Sequence, residues 1–140
     1  MQPMTGRVLD QVQVHLVDNM DELDACRRWA GSQLQGTLCA DTESAGYKPH
    51  TDAHRLTQIG DMRHGWAFPP AWFGACNEIL AKYTGRIGFF NSPYDMQVLE
   101  VNDGLRLDWA RVDDAQLAGH IADSVRVNAL KPRASIEIDS

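Results

Sequence analysis

The chain has 140 residues, of which 44% are hydrophobic, 8% aromatic and 23% charged. That length suits one domain of ordinary size, and the balance excludes a disordered, collagen-like or coiled-coil chain. With 13 Lys+Arg against 19 Asp+Glu the net charge is −6, which excludes nucleic-acid binding through a broad basic surface. Any contact with DNA must then be local, or run through metal ions. Apolar runs are only a few residues long, so no membrane partner is expected. Met1 to Asp10 has no apolar stretch, so no signal peptide is expected either. Cys26, Cys39 and Cys76 are odd in number and widely spaced, with no C-x-x-C. They read as free thiols of a cytoplasmic protein, not as a disulfide framework or a zinc site.

Gln11 to Val17 alternates apolar and polar residues and predicts a half-buried strand. Asp18-Asn19 supplies capping chemistry. Met20, Leu23, Cys26, Ala30 and Leu34 recur at three and four, so an amphipathic helix follows, ending near Gly36. Thr37 to Thr42 reads as a short buried strand, and Ser44 to His54 as a loop. Arg55–Asp61 and Gly65–Phe68 predict a hairpin. Pro69-Pro70 stops it and opens a helix on which Trp72, Cys76, Ile79 and Tyr83 share a face. Gly85 ends that helix and Ile87–Phe90 is a short strand. Ser92-Pro93 opens another helix, with Tyr94, Val98 and Val101 at helical spacing, up to a turn at Asn102-Asp103-Gly104. Val112 is briefly extended. Asp113 or Asp114 then caps a helix carrying Leu117, Ile121 and Val125.

The order β-α-β-β-β-α-β-α-(β)-α predicts a mixed α/β fold. Three consecutive antiparallel strands at its head followed by βα units suit an RNase H-like sheet flanked by helices. No linker divides residues 1–140, which are read as one domain.

Asp41-Thr42-Glu43 closes the second strand. Residues i and i+2 of a strand point to one side, so Asp41 and Glu43 can present two carboxylates together, with Thr42 facing away. Hard oxygen ligands at a strand end suit Mg²⁺ or Mn²⁺. An acid-x-acid triplet is common, however, and its value lies in its place after a buried strand. Asn91-Ser92-Pro93-Tyr94-Asp95 follows the strand Ile87–Phe90. If that strand runs parallel to Thr37–Thr42, both C-terminal ends share one sheet edge, where open α/β sheets bind ligands. Asp95 would then face Asp41 and Glu43. Taken alone, Asp95 is better explained as a favourable acid in a first helical turn. Together the three acids fit a two-metal phosphoryl-transfer site. Asp41 would bridge two ions, Glu43 would hold the first and orient a water, and Asp95 would hold the second.

On these residues the chain resembles the 3′–5′ proofreading exonuclease domain of DNA polymerase I, in the form carried by actinobacterial phage polymerases. That domain belongs to the DnaQ-like/RNase D-like four-acid nucleases. Asp41-Thr42-Glu43 is similar to the first exonuclease motif. Asn91 to Asp95, followed by Leu99-Glu100, is similar to the second. Gly60-Asp61 and Gly65 to Pro69 resemble the family's hairpin, Asp114 to Ala118 its next helix, and Leu130-Lys131-Pro132 the stretch after that. The resemblance covers about residues 12–133 and leaves 134–140 as a tail. It implies removal of 3′-terminal nucleotides from single-stranded DNA with two Mg²⁺ or Mn²⁺ ions, in a host cytoplasm if the chain is phage-encoded. Catalytic and metal-binding roles fall on Asp41, Glu43 and Asp95. Substrate contacts fall on Thr42, Tyr47, Asn91 and Tyr94, with Tyr47 placed to stack on the terminal base. Tyr47 reads equally well as an exposed loop aromatic, and Thr42 and Tyr94 as structural residues.

The family's third motif is Tyr-x-x-x-Asp, or His with Asp five residues later. No tyrosine follows Tyr94, and His120 precedes Asp123 by three. The fourth carboxylate and its helix are therefore expected to be missing. The first ion site would be weakened, and a bare sheet face would invite a polymerase chain or another protein to complete the fold. The alternative is a catalytically inactive exonuclease-fold module that binds such a partner. His50 and His54, with His64 nearby, lack a third zinc ligand at fixed spacing. Lys48, Arg55 and Arg63 could meet phosphates or simply be solvated. Trp29, Trp66, Trp72 and Trp109 read as core or interface residues. No P-loop and no nucleophile elbow occurs.

Overall fold

The computed structural model describes residues 12–33, 36–46, 48, 52–90 and 92–116. Tyr47, Asn91, Leu34, His50 and everything from Leu117 onward, including the expected last helix and the tail, lie outside them.

Strand β1 (Gln13–Leu16) leads to helix α1 (Met20–Ser32). Asn19 caps α1 as expected, its side chain accepting from the Glu22 N–H at 2.9 Å. Leu23, Cys26, Trp29 and Ala30 form the buried stripe, while Met20 is exposed. Three strands follow: β2 (Thr37–Ser44), β3 (His54–Gly60) and β4 (His64–Phe68). After a 3₁₀ turn at Pro70–Trp72 come α2 (Phe73–Lys82), β5 (Arg86–Phe89), α3 (Ser92–Asp103), a second 3₁₀ turn at Trp109–Arg111, and β6 (Val112–Asp114).

The six strands form one mixed sheet in the order β1-β4-β3-β2-β5-β6. The antiparallel run is β2-β3-β4, not the first three consecutive strands. Strand β1 lies at the edge, parallel to β4. The cause is α1: a helical crossover returns the chain in the parallel sense, so β1 and β2 do not form a hairpin. Strand β5 runs parallel to both β2 and β6.

Alternation assigns the two faces. Leu38, Ala40 and Thr42 on β2 are buried, as are Thr57 and Ile59 on β3, Trp66 and Phe68 on β4, and Ile87 and Phe89 on β5. They join the buried residues of all three helices in one core. Complete burial of Leu38, Ile59 or Ile87 stabilises by about 1.5–3 kcal/mol each. On the opposite face Thr37, Cys39, Asp41 and Glu43 of β2 and Gln58 of β3 are exposed. No described helix covers them. Strand β2 is thus longer than expected and buried on one side only. Trp29 and Trp66 are core residues, whereas Trp109 is exposed. Among the described residues no helix is long and apolar enough to cross a membrane.

Helix α3 is anchored at its far end. Gly104 takes φ +70°, and the Leu105 N–H reaches the Leu99 carbonyl at 3.1 Å, a glycine-dependent helix stop. The turn expected at Asn102–Gly104 therefore begins at Gly104, two residues later than its expected first residue. Asp103, the last helical residue, meets the buried His54 ring, with Oδ2 2.8 Å from Nδ1. His54 Nε2 lies 2.8 Å from Thr57 Oγ1, and the ring stacks on Phe73 at 4.0 Å. His54 is thus a satisfied core histidine, not a loop metal ligand. Removing its partner leaves a buried ring N–H unpaired, so Asp103→Ala should destabilise by about 1–3 kcal/mol. Asp103→Asn, which keeps an acceptor, should lose less. Urea midpoints of the two variants check this; equal losses would refute it.

Candidate active site

The site lies where β2 and β5 part. The two strands pair in parallel from Thr37↔Arg86 to Cys39↔Gly88, then separate as β5 turns into α3. This is the expected shared C-terminal edge. Asp41 and Glu43 leave β2 on the exposed face, two residues apart, with Thr42 turned into the core. The β2–β3 register slips between Glu43 and Ser44, which bends the strand just past the acids.

Asp95 approaches from the other side. It is one turn into α3 and only 2% exposed. Its Oδ1 accepts from the Thr42 N–H at 3.0 Å and from Thr42 Oγ1 at 2.6 Å. The expected approach of Asp95 to Asp41 and Glu43 runs through the residue between them. Asp95 meets the same strand, but through Thr42 and from the core side. Past Cys39 the Thr42 N–H has no partner strand on the β5 side, and a buried N–H must find an acceptor. Thr42 in turn is 7% exposed with both donors engaged by Asp95, which it supports. Tyr94 is also a support: its hydroxyl donates to the Gly46 carbonyl at 3.0 Å, tying α3 to the segment after β2. Tyr47 and Asn91 lie outside the described residues.

The acids crowd one another electrostatically. Burial, then the neighbouring Glu43 charge, raises the Asp41 carboxyl above its ordinary range, against a lowering hydrogen bond from the Thr42 backbone. Burial pushes Asp95 up to about 6; the Thr42 hydroxyl opposes this, and the charges of Asp41 and Asp114 add to it. Among the described residues no three His, Cys, Asp or Glu side chains converge in a metal-holding group. The donors present still fit a divalent cation. Asp41 and Glu43 are hard, exposed oxygen donors on one face of β2, which suits such an ion. Beside Asp41 a groove of about 590 Å³ runs along the sheet face that no described helix covers, lined by Cys39, Ala40, Gly88, Phe90 and Asp114 among others.

Asp114 is the residue whose place the sequence conceals. It was read as a possible cap for the helix that follows. It ends β6, and its Oδ2 accepts from the Ser92 N–H at 2.8 Å and from Ser92 Oγ at 2.9 Å, at the start of α3. Its Oδ1 also accepts from the Gln116 N–H at 2.9 Å, the cap that the local sequence predicts; the Ser92 contact lies 22 residues away, where no local signal reaches.

Comparison with known proteins defines the fold class. The catalytic core of RRP6 from Trypanosoma brucei superposes with a TM-score of 0.74 at 14% identity, over 94% of this chain and 36% of that one. Escherichia coli RNase D, an exoribonuclease involved in structured RNA processing, gives 0.71 at 15% identity, over 92% and 34%. Brucella melitensis NrnC gives 0.69 at 18% identity, over 93% and 62%. NrnC has also been solved with bound Mg²⁺ and bound to pGG. No family model matches the chain, and no curated protein does. The chain thus shares the RNase H-like fold of these three proteins, a mixed sheet flanked by helices, and spans roughly a third of RRP6 and RNase D.

The buried acid makes stability depend on pH. Folding raises the proton affinity of Asp95 from 3.8 to about 6, so the folded state is favoured most below about pH 4. That contribution is lost as pH rises through 6. Asp95→Asn keeps an acceptor for Thr42 without the buried charge. In EDTA it should exceed the native chain in stability at pH 8, by up to about 3 kcal/mol. The difference should shrink toward pH 4. Thermal melts across that range test this, and a pH-independent difference would contradict it.

Proposed function

We propose that the chain is a metal-dependent 3′–5′ exonuclease domain that hydrolyses 3′-terminal phosphodiesters of single-stranded nucleic acid. One observation carries the reading: Asp41 and Glu43 stand side by side on β2, next to the buried Asp95, at the parallel-strand edge of an RNase D-like fold. The two sequence motifs meet there, and chance proximity of unrelated acids does not require their order or their strand.

Asp41 and Glu43 would hold Mg²⁺ or Mn²⁺, with Asp95 as the third carboxylate. A divalent ion bound there supplies Lewis-acid stabilisation of charge at the attacking and leaving oxygens. The chain's own residues do the rest. Glu43 orients the attacking water, and Thr42 holds Asp95 to β2. Tyr94 holds the segment leading to Tyr47, and Tyr47 and Asn91 contact the terminal nucleotide. DNA is the proposed substrate because the motifs resemble the polymerase I proofreading domain. The exoribonuclease RNase D and pGG-bound NrnC make RNA and short oligonucleotides the necessary comparison.

A second reading has its own observation. No tyrosine follows Tyr94 among these 140 residues, and the third motif does not occur in them in its expected form. The chain could then be an inactive module completed by a polymerase chain or another protein.

A nuclease assay on 5′-labelled single-stranded DNA and RNA separates these readings. With Mg²⁺ or Mn²⁺ the native chain should produce a 3′-shortening ladder. Asp41→Ala should reduce its rate by about 10²–10⁴-fold. Absence of cleavage of both substrates would refute the stand-alone exonuclease and favour the module.

A further inference from the structure

Asp114 belongs to neither sequence motif, yet it touches the helix that carries Asp95. Strand β6 pairs with β5 in parallel, opposing Asp114 to Phe89. Arg86 on β5 grips Asp113 through two hydrogen bonds, Nε to Oδ2 at 2.8 Å and Nη2 to Oδ1 at 2.7 Å. That pair is half exposed and contributes little energy, but it sets the register of β6. With β6 in place, Asp114 Oδ2 receives the Ser92 N–H and hydroxyl, while Oδ1 receives the Gln116 N–H at 2.9 Å. Both carboxylate oxygens are therefore engaged as acceptors.

Ser92 is the first residue of α3 and 4% exposed. The first N–H groups of a helix have no intrahelical partner, and a carboxylate there also complements the helix dipole. Ser92 and Asp95 are three apart, so they share one face of the helix. The same face meets β6 through Ser92 and β2 through Asp95.

We propose that Asp114 is a positioning residue: by holding Ser92 it sets where α3 starts, and so places the Asp95 carboxylate against Thr42 beside Asp41 and Glu43. Its effect on turnover rests on the exonuclease reading; its effect on Asp95 does not. Asp114 is not a replacement for the fourth carboxylate of the family, because its oxygens already serve Ser92 and Gln116.

The test reads the Asp95–Thr42 bond directly, by hydrogen exchange of the Thr42 amide in the ¹⁵N-labelled full chain. Asp114→Ala should speed that exchange at least about tenfold, while Ile59 and Ile87 amides, deep in the sheet, stay protected. Asp114→Asn keeps an acceptor for Ser92 and should stay within about threefold of the native chain. Should Asp114→Ala not fold, Ser92→Ala removes one of the two donors and should shift Thr42 in the same direction. An unchanged Thr42 rate in a folded Asp114→Ala or Ser92→Ala chain overturns the proposal. So does Asp114→Asn matching Asp114→Ala, which would mark the charge, and a ligand role, as what matters. If the native chain is active, Asp114→Ala should lower kcat with little change in KM, and Asp114→Asn should restore it. If the native chain is inactive, the exonuclease reading fails while the exchange data still decide the role of Asp114.

Discussion

One carboxylate oxygen closes the gap that opens where β2 and β5 separate. Asp95 Oδ1 takes both the amide and the hydroxyl of Thr42, which no strand on the β5 side supplies. This contact joins the first and second sequence motifs across 53 residues. Without it the edge of the sheet would carry a buried unpaired N–H, and α3 would lose its link to β2. The helix is held elsewhere too: Ser92 meets Asp114 at its start, and Asp103 meets the buried His54 at its end. Each contact is a hydrogen bond to a carboxylate, the stronger kind when the acid is charged. An element bound at both ends and in its first turn has little freedom to tilt.

That arrangement concentrates acids where they are poorly solvated. Asp95 is buried, Asp41 lies one residue away on the strand from its partner Thr42, and the Asp114 charge is felt by Asp95 as well. Burial is the first cause of the raised proton affinities of Asp41 and Asp95, and neighbouring carboxylates add to it. The pairing of Arg86 with Asp113 relieves only the rim.

The sheet separates folding from chemistry by strand alternation. Leu38, Ala40 and Thr42 face the core, and Cys39, Asp41 and Glu43 face outward from the same strand. The inner set can be constrained by packing while the outer set is left to function. This division explains how chains only 14–18% identical share the fold. It also means that the fold alone does not transmit an activity, which depends on which side chains the outer face carries.

Much of this molecule was legible in one dimension. The period-two pattern of β2 placed Asp41 and Glu43 on one side, because alternate side chains of any strand must share a face. Asn19 announced the start of α1, and Gly104 the end of α3, because caps and left-handed stops are local chemistry. The shared edge of β2 and β5 was legible only as a condition, that the two strands run parallel, and the sheet meets it. Three things were not legible: β1 beside β4, the Thr42 contact of Asp95, and the Ser92 contact of Asp114. The two side-chain contacts span 53 and 22 residues. The sequence by itself determined which residues could be acids on an exposed strand face, since backbone geometry repeats within a few residues. Only the tertiary structure decided which partner each acid meets, since that depends on the order of strands in the sheet, and no local period encodes it.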